Sequence, residues 1–144
     1  MSKLTLAGIR RGNQFSPNHI GNDAAIFALT AQHLPKLGCD VNEYIESDLL
    51  LQDPKEKGIF NMVRDWKSIH KLQELEDKNY FVVNSGYGIE NCTREKMTRL
   101  LLSNHISHPE SLILRTDEDP TEALEKAGFF NCWIKRGDFH AIHR

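Results

Sequence analysis

No run of apolar residues in this chain approaches the ~18 that a membrane-spanning helix needs. The N-terminus, MSKLTLAGIRRG, has neither a long apolar core nor a small-residue cleavage pattern. The sequence therefore reads as having no membrane segment and no secretion signal, and a cytoplasmic location is expected. Basic runs are missing as well. Eighteen Lys and Arg against 20 Asp and Glu leave a net charge of -2, so the clustered cations that hold nucleic-acid phosphates are not there. The cysteines Cys39, Cys92 and Cys132 are odd in number and lack the C-x-x-C spacing of a zinc or redox site; they read as reduced and partly buried. The histidines include no H-E-x-x-H pattern, and His140 and His143, three apart, read as a surface pair, so no metal site is expected. Asn91-Cys92-Thr93 matches a glycosylation acceptor, but a chain without a secretion signal does not meet that enzyme.

What is present suits a folded α/β chain. With 144 residues, 40% of them hydrophobic, it can bury a substantial core in one large or two small domains. Strands are expected at residues 4 to 9, 41 to 45, 59 to 63 and 80 to 83, the last an aromatic and β-branched run ended by Asn84, Ser85 and Gly86. Between them lie two helical patterns. One is capped by Asn22 or Asp23, with Ala24, Ile26, Phe27, Leu29, Ala31 and Leu34 as a broad apolar face; the other follows Asp65, with Trp66, Ile69, Leu72 and Leu75 at helical spacing. Alternation of this kind implies right-handed crossovers and a mostly parallel, Rossmann-like sheet with helices on both faces. A small α+β segment should follow. In it a helix begins at Thr93, with Met97, Leu100, Leu101 and Leu102 on a buried face, and Asp119-Pro120-Thr121-Glu122 opens a short helix ending before Gly128. Strands are expected at 111 to 115 and 129 to 135.

The stretch 80 to 109 is the most informative. A buried strand at Tyr80 to Val83 is followed by the turn Asn84-Ser85-Gly86 and then by a helix with Lys96 about one turn in. α/β proteins present phosphate-binding groups in this order, beyond the carboxyl end of a strand. The same spacing also suits a solvated helix lysine.

The run Asn84-Ser85, Ile89-Glu90-Asn91-Cys92, Arg94-Glu95-Lys96-Met97, a Leu-rich helix, His105-Ile106-Ser107-His108-Pro109 and then Ser111-Leu112-Ile113-Leu114 resembles the entry into an ATP-grasp fold. The resemblance covers essentially the whole chain. It implies a Rossmann-like pre-ATP-grasp domain over 1-91 and the beginning of the nucleotide-binding domain over 92-144. It further implies the N-terminal part of an ATP-dependent carboxylate-amine or carboxylate-thiol ligase, acting through an acyl-phosphate on small-molecule carboxylate and amine substrates. ATP and magnesium would be its cofactors, and a homodimer its assembly. The family's two phosphate-contacting lysines fall on Lys96 and Lys135. Its glycine-rich lid is represented only by Arg136-Gly137-Asp138-Phe139-His140, and no Asp or Glu follows Asp138. The resemblance thus implies metal ligands beyond residue 144 and no ligation by this stretch alone.

The loop after the first strand carries Arg10, Arg11, Asn13, Ser16, Asn18 and His19, and Arg64 follows the third strand. Those ends are where ligands enter open α/β sheets, so Arg10, Arg11, Ser16, Asn18, His19 and Arg64 are candidate contacts for an anionic substrate group. A solvated Asn-rich loop is the other reading. Asp117-Glu118-Asp119 reads as a capping and solvated face. Besides the ligase, two functions stay open: a non-catalytic nucleotide- or metabolite-binding module, and a flavodoxin-like interaction domain. An open aromatic stretch at Phe129 to Lys135 is expected to be covered by a partner chain or poorly ordered.

Overall fold

The computed structural model describes residues 3–15 and 20–137. It divides into two compact units, Met1–Glu90 and Asn91–Arg144. In the first, β1 (Leu4–Arg10), β2 (Cys39–Ile45), β3 (Gly58–Asn61) and β4 (Phe81–Val83) form one sheet in the order β2-β1-β3-β4, with every pair parallel. The expected α/β class and parallel sheet are therefore present. The third strand stops at Asn61 and does not reach Val63. The Asn61 side chain accepts from the Val63 amide at 3.1 Å and turns the chain, although Met62 still donates to Ile9 at 3.0 Å.

Parallel neighbours require crossovers, supplied by α1 (Ile20–His33), α2 (Glu46–Leu51) and α3 (Trp66–Asp77). The step from β1 to β2 runs across the sheet in the opposite sense to the steps into β3 and β4. Right-handed crossovers then put α1 on one face and α2 with α3 on the other. The side chains agree with this assignment. Ala7, Ile9, Ile59 and Val82 face Leu49 of α2 and Ile69, Leu72 and Leu75 of α3 in one core cluster. Phe60, next to Ile59 and so on the other side of the pleat, stacks on Phe27 of α1 with ring centroids 5.2 Å apart. Each Leu or Ile taken into that core contributes about 1.5–3 kcal/mol relative to exposure.

The two faces are unequally filled. α3 follows its expected pattern: Asp65 caps it by accepting from the Ser68 amide at 3.2 Å, and Ile69, Leu72 and Leu75 are buried. Trp66 departs from the pattern, being half-exposed and packed on His70. α1 begins at Ile20, before the expected Asn22, and buries only Phe27. Ile26 and Leu29, expected on its inner face, are exposed because they lie on the flank turned away from Phe27. On the same face of the sheet as Phe60, Phe81 of β4 is 72% exposed.

Two helices were not anticipated, α2 and α4 (Gly86–Asn91). Each has only six residues, too few to show a helical period. α4 is set against α3 by Gly86, where an added Cβ would lie 2.9 Å from both Ile69 O and Gln73 N. The Gly86 amide donates to Glu76 at 2.9 Å, and Gln73 donates to Glu90 at 2.7 Å.

The second unit contains α5 (Arg94–Ser103) and α6 (Thr121–Lys126). α5 starts where expected, yet Thr93 makes no side-chain cap bond, and Met97, Leu100 and Leu102 are exposed, not buried. The segments 111–115 and 129–135 form no strand ladder among the described residues. Arg115 instead grips Asp117 through two hydrogen bonds of 2.9 and 2.8 Å. Asp119 accepts from the Thr121 amide at 3.0 Å as α6 opens, and Gly128 at φ 73° closes that helix in the left-handed region. Cys39 is partly buried, whereas Cys92 and Cys132 are exposed, contrary to expectation; all three are free thiols. Among the described residues no helix is long and apolar enough to cross a membrane.

Candidate functional site

The strand order reverses at β1, which sends one connection to β2 while β3 lies on its other side. The crevice beyond the carboxyl ends of β1 and β3 is the position where doubly wound sheets hold ligands. Here it receives Arg10, Arg11 and Gly12 from the end of β1, Glu46 from the end of β2, and Asn61 to Asp65 from the end of β3. Next to it, on the α1 side, a cavity of about 240 Å3 lies between α1 and the ends of β1 and β2, lined among others by Arg10, Arg11, Gly12, Asn13, Asp23 and Ile45.

Most polar groups at this end hold the protein itself. Arg11 donates from Nε to Met62 O at 3.0 Å and from its guanidinium to Asp23 at 2.6 Å, so it binds β1 to the loop after β3 and to α1. Asn61 donates to the carbonyls of Val83 at 3.2 Å and Asn84 at 2.7 Å, and Asn84 returns a bond to Asn61 O at 3.3 Å. Glu46 is 4% exposed. One of its carboxylate oxygens accepts from the Gly12 amide at 2.6 Å, the other from the amides of Arg64 at 2.7 Å and Asp65 at 2.6 Å. Arg10 differs in being half-exposed, with a long ion pair of 3.8 Å to Glu43.

Of the residues singled out from sequence, Arg10 and Arg11 line one cavity. Arg64 joins them through its backbone, because Glu46 ties its amide to that of Gly12. Ser16, Asn18 and His19 lie outside the described residues. Lys96 and Lys135 belong to the second unit. Lys96 is partly buried in the first turn of α5, and Lys135 is exposed. Their segments meet: Arg94 donates to Arg136 O at 3.3 Å, and the Glu95 amide donates to Gly137 O at 3.4 Å. The missed residue is Glu46. Its only sequence signature is an acid directly after the strand Val41 to Ile45, where a crossover leaves the sheet.

A wider groove of about 670 Å3 runs between α1 and β2 past Ala28, Ala31, Gln32, Val41 and Glu43. It brings no group of cations together, and its acids are already engaged, Asp40 by Lys3 and Glu43 by Arg10. The smaller crevice is the better chemical candidate despite its size. Compared with protein-family models, curated proteins and solved structures, the chain matches none.

Proposed function

We propose that this chain holds nucleotide and substrate for an ATP-dependent ligase joining a carboxylate to an amine. Support comes from the adjacency of the two lysine-bearing segments, since the backbone at Arg136 and Gly137 lies along the turn of α5 that carries Lys96. An added Cβ at Gly137 would come within 3.1 Å of the Glu95 Cβ, so this approach suits a glycine. Two ammonium groups from such a pair of segments match the charge of a polyphosphate. Bound ATP would supply the phosphoryl group that activates a carboxylate; magnesium would accompany it. The chain's own part is to fix and partly neutralise the phosphates. The described residues hold no group of three or more metal-ligating side chains, so the metal is not assigned to them. A homodimer belongs to this reading, supported by the apolar side chains of Phe130, Trp133 and Ile134, all more than 80% exposed.

The alternative is a metabolite-binding module without catalysis, favoured by the crevice at β1, where Arg10 offers a half-exposed cation beside a cavity of small-molecule size. Calorimetric titration with magnesium-ATP separates the two. Lys96→Ala and Lys135→Ala should each weaken binding by about 1.5–3 kcal/mol, the value of a charge-assisted contact. Unchanged affinity in both variants would remove the lysines from the site and leave the binding module standing.

A further inference from the structure

The amides of Gly12, Arg64 and Asp65 come from two separate crossover loops and converge on one point between the ends of β1 and β3. Convergent backbone donors of this kind concentrate partial positive charge and suit an anion. What fills that point is a side chain of the same protein. The Glu46 carboxylate arrives from the start of α2, directly after β2, and accepts all three bonds at 2.6–2.7 Å, the short range of charge-assisted hydrogen bonds.

We infer that this group of amides is a carboxylate-binding site which the chain occupies with its own Glu46, closing the backbone of the crevice to phosphate and carboxylate ligands. Two consequences follow. The loops after β1 and β3 are locked together before any ligand arrives, which makes Glu46 a positioning residue for the crevice. Recognition of a ligand anion then falls to side chains, Arg10 among them, because the backbone amides that would ordinarily receive it are engaged. Arg11 is bound to Asp23 and Met62, so its guanidinium is held in the wall. The inference is independent of the nucleotide reading, which concerns residues of the other unit.

Chemical rescue in the full chain tests it. Glu46→Gly removes the carboxylate and leaves the amides facing a space the size of a small anion. Sodium formate, compared with sodium chloride at equal ionic strength, should raise the melting temperature of Glu46→Gly by roughly 5 °C while leaving wild type unmoved. In nitrogen-proton spectra formate should displace the amide resonances of Gly12, Arg64 and Asp65 selectively. Inorganic phosphate should move the same amides in the variant and not in wild type. A folded variant whose melting temperature and amides ignore both anions would overturn the inference, and so would wild-type amides that shift with phosphate. Should Glu46→Gly fail to fold, hydrogen exchange in wild type decides. Gly12, Arg64 and Asp65 must be protected together, and in Glu46→Gln they must lose protection by at least tenfold. Equal exchange in the two proteins would refute the site.

Discussion

Gly86 and Gly88 occupy the same six-residue helix, yet alanine at the two positions should act in opposite directions. At Gly86 a methyl group would sit 2.9 Å from two backbone atoms of α3, Ile69 O and Gln73 N. Carbon contacts are comfortable at about 3.5–4 Å, so α4 would have to retreat by roughly 0.6–1 Å. Backbone atoms in the middle of a packed helix do not yield as a side-chain tip would. The retreat also stretches the Gly86 amide bond to Glu76, now 2.9 Å. Overpacking of this kind costs about 1–3 kcal/mol, against which the better helix propensity of alanine returns at most about 1 kcal/mol. A net loss of up to about 3 kcal/mol is expected. At Gly88 the nearest atom to an added Cβ is Ser85 Cβ at 3.6 Å, an ordinary contact, so only the propensity term acts and stability should rise by about 0.5–1 kcal/mol. Urea unfolding of both variants beside wild type measures the difference. With a slope of ~1–3 kcal/mol per molar urea, the two midpoints should lie on opposite sides of wild type. Destabilisation by both substitutions, or by neither, would show that α4 is not seated on α3 through Gly86.

Phe27 is the one side chain α1 buries, so Phe27→Ala should cost about 3–5 kcal/mol and in hydrogen exchange should release α1 ahead of α3; equal loss of protection across both helices would contradict the division of the core into two faces. Asp53 bridges Lys71 at 2.6 Å and Lys78 at 3.2 Å, and the hydrogen bond from Lys71, followed by that from Lys78, holds its carboxyl below the usual carboxylate range. A depressed folded-state value means that the unfolded chain takes up the proton first. The contribution is therefore fully present above about pH 4–5 and lost as pH falls through the folded value. Because the pair is partly exposed, Asp53→Asn should cost only about 1 kcal/mol at pH 7, and the difference from wild type should vanish in denaturation curves taken near pH 2.

The core of the fold was legible where the sequence carried a period. Ile69, Leu72 and Leu75 announce α3, and apolar runs mark the strands whose two faces are both covered. Burial was not legible from the same letters. Ile26 and Leu29 in α1, and Met97, Leu100 and Leu102 in α5, are as apolar as the α3 stripe yet stand in solvent. Periodicity identifies an amphipathic helix but does not say what covers it. The strands expected at 111–115 and 129–135 failed for a related reason. Their β-branched and aromatic residues fit a pleated surface, but a ladder needs a neighbouring strand, which the described residues do not provide. At the candidate site, Arg10 and Arg11 were legible because they follow a strand end. Glu46 was not, since its role depends on amides 34, 18 and 19 positions away in sequence.

Glu46 and Arg11 together show how the carboxyl end of the sheet is organised. Two strand ends separated by a crevice would leave loop amides and a cation facing one another across water. A buried carboxylate without donors is costly, but one that accepts from three amides is compensated. Arg11 complements it by satisfying the Met62 carbonyl and the Asp23 carboxylate on the neighbouring wall. The charges that could have attracted any passing anion are thus spent on holding the loops, and the cavity beside them is shaped before a ligand enters. Arg10, half-exposed and only loosely paired with Glu43, keeps a cation at the rim of that fixed cavity. Arg10→Ala and Glu46→Gly should therefore be separable: the first removes a half-exposed cation at the cavity, the second the carboxylate that ties the loops after β1 and β3 together.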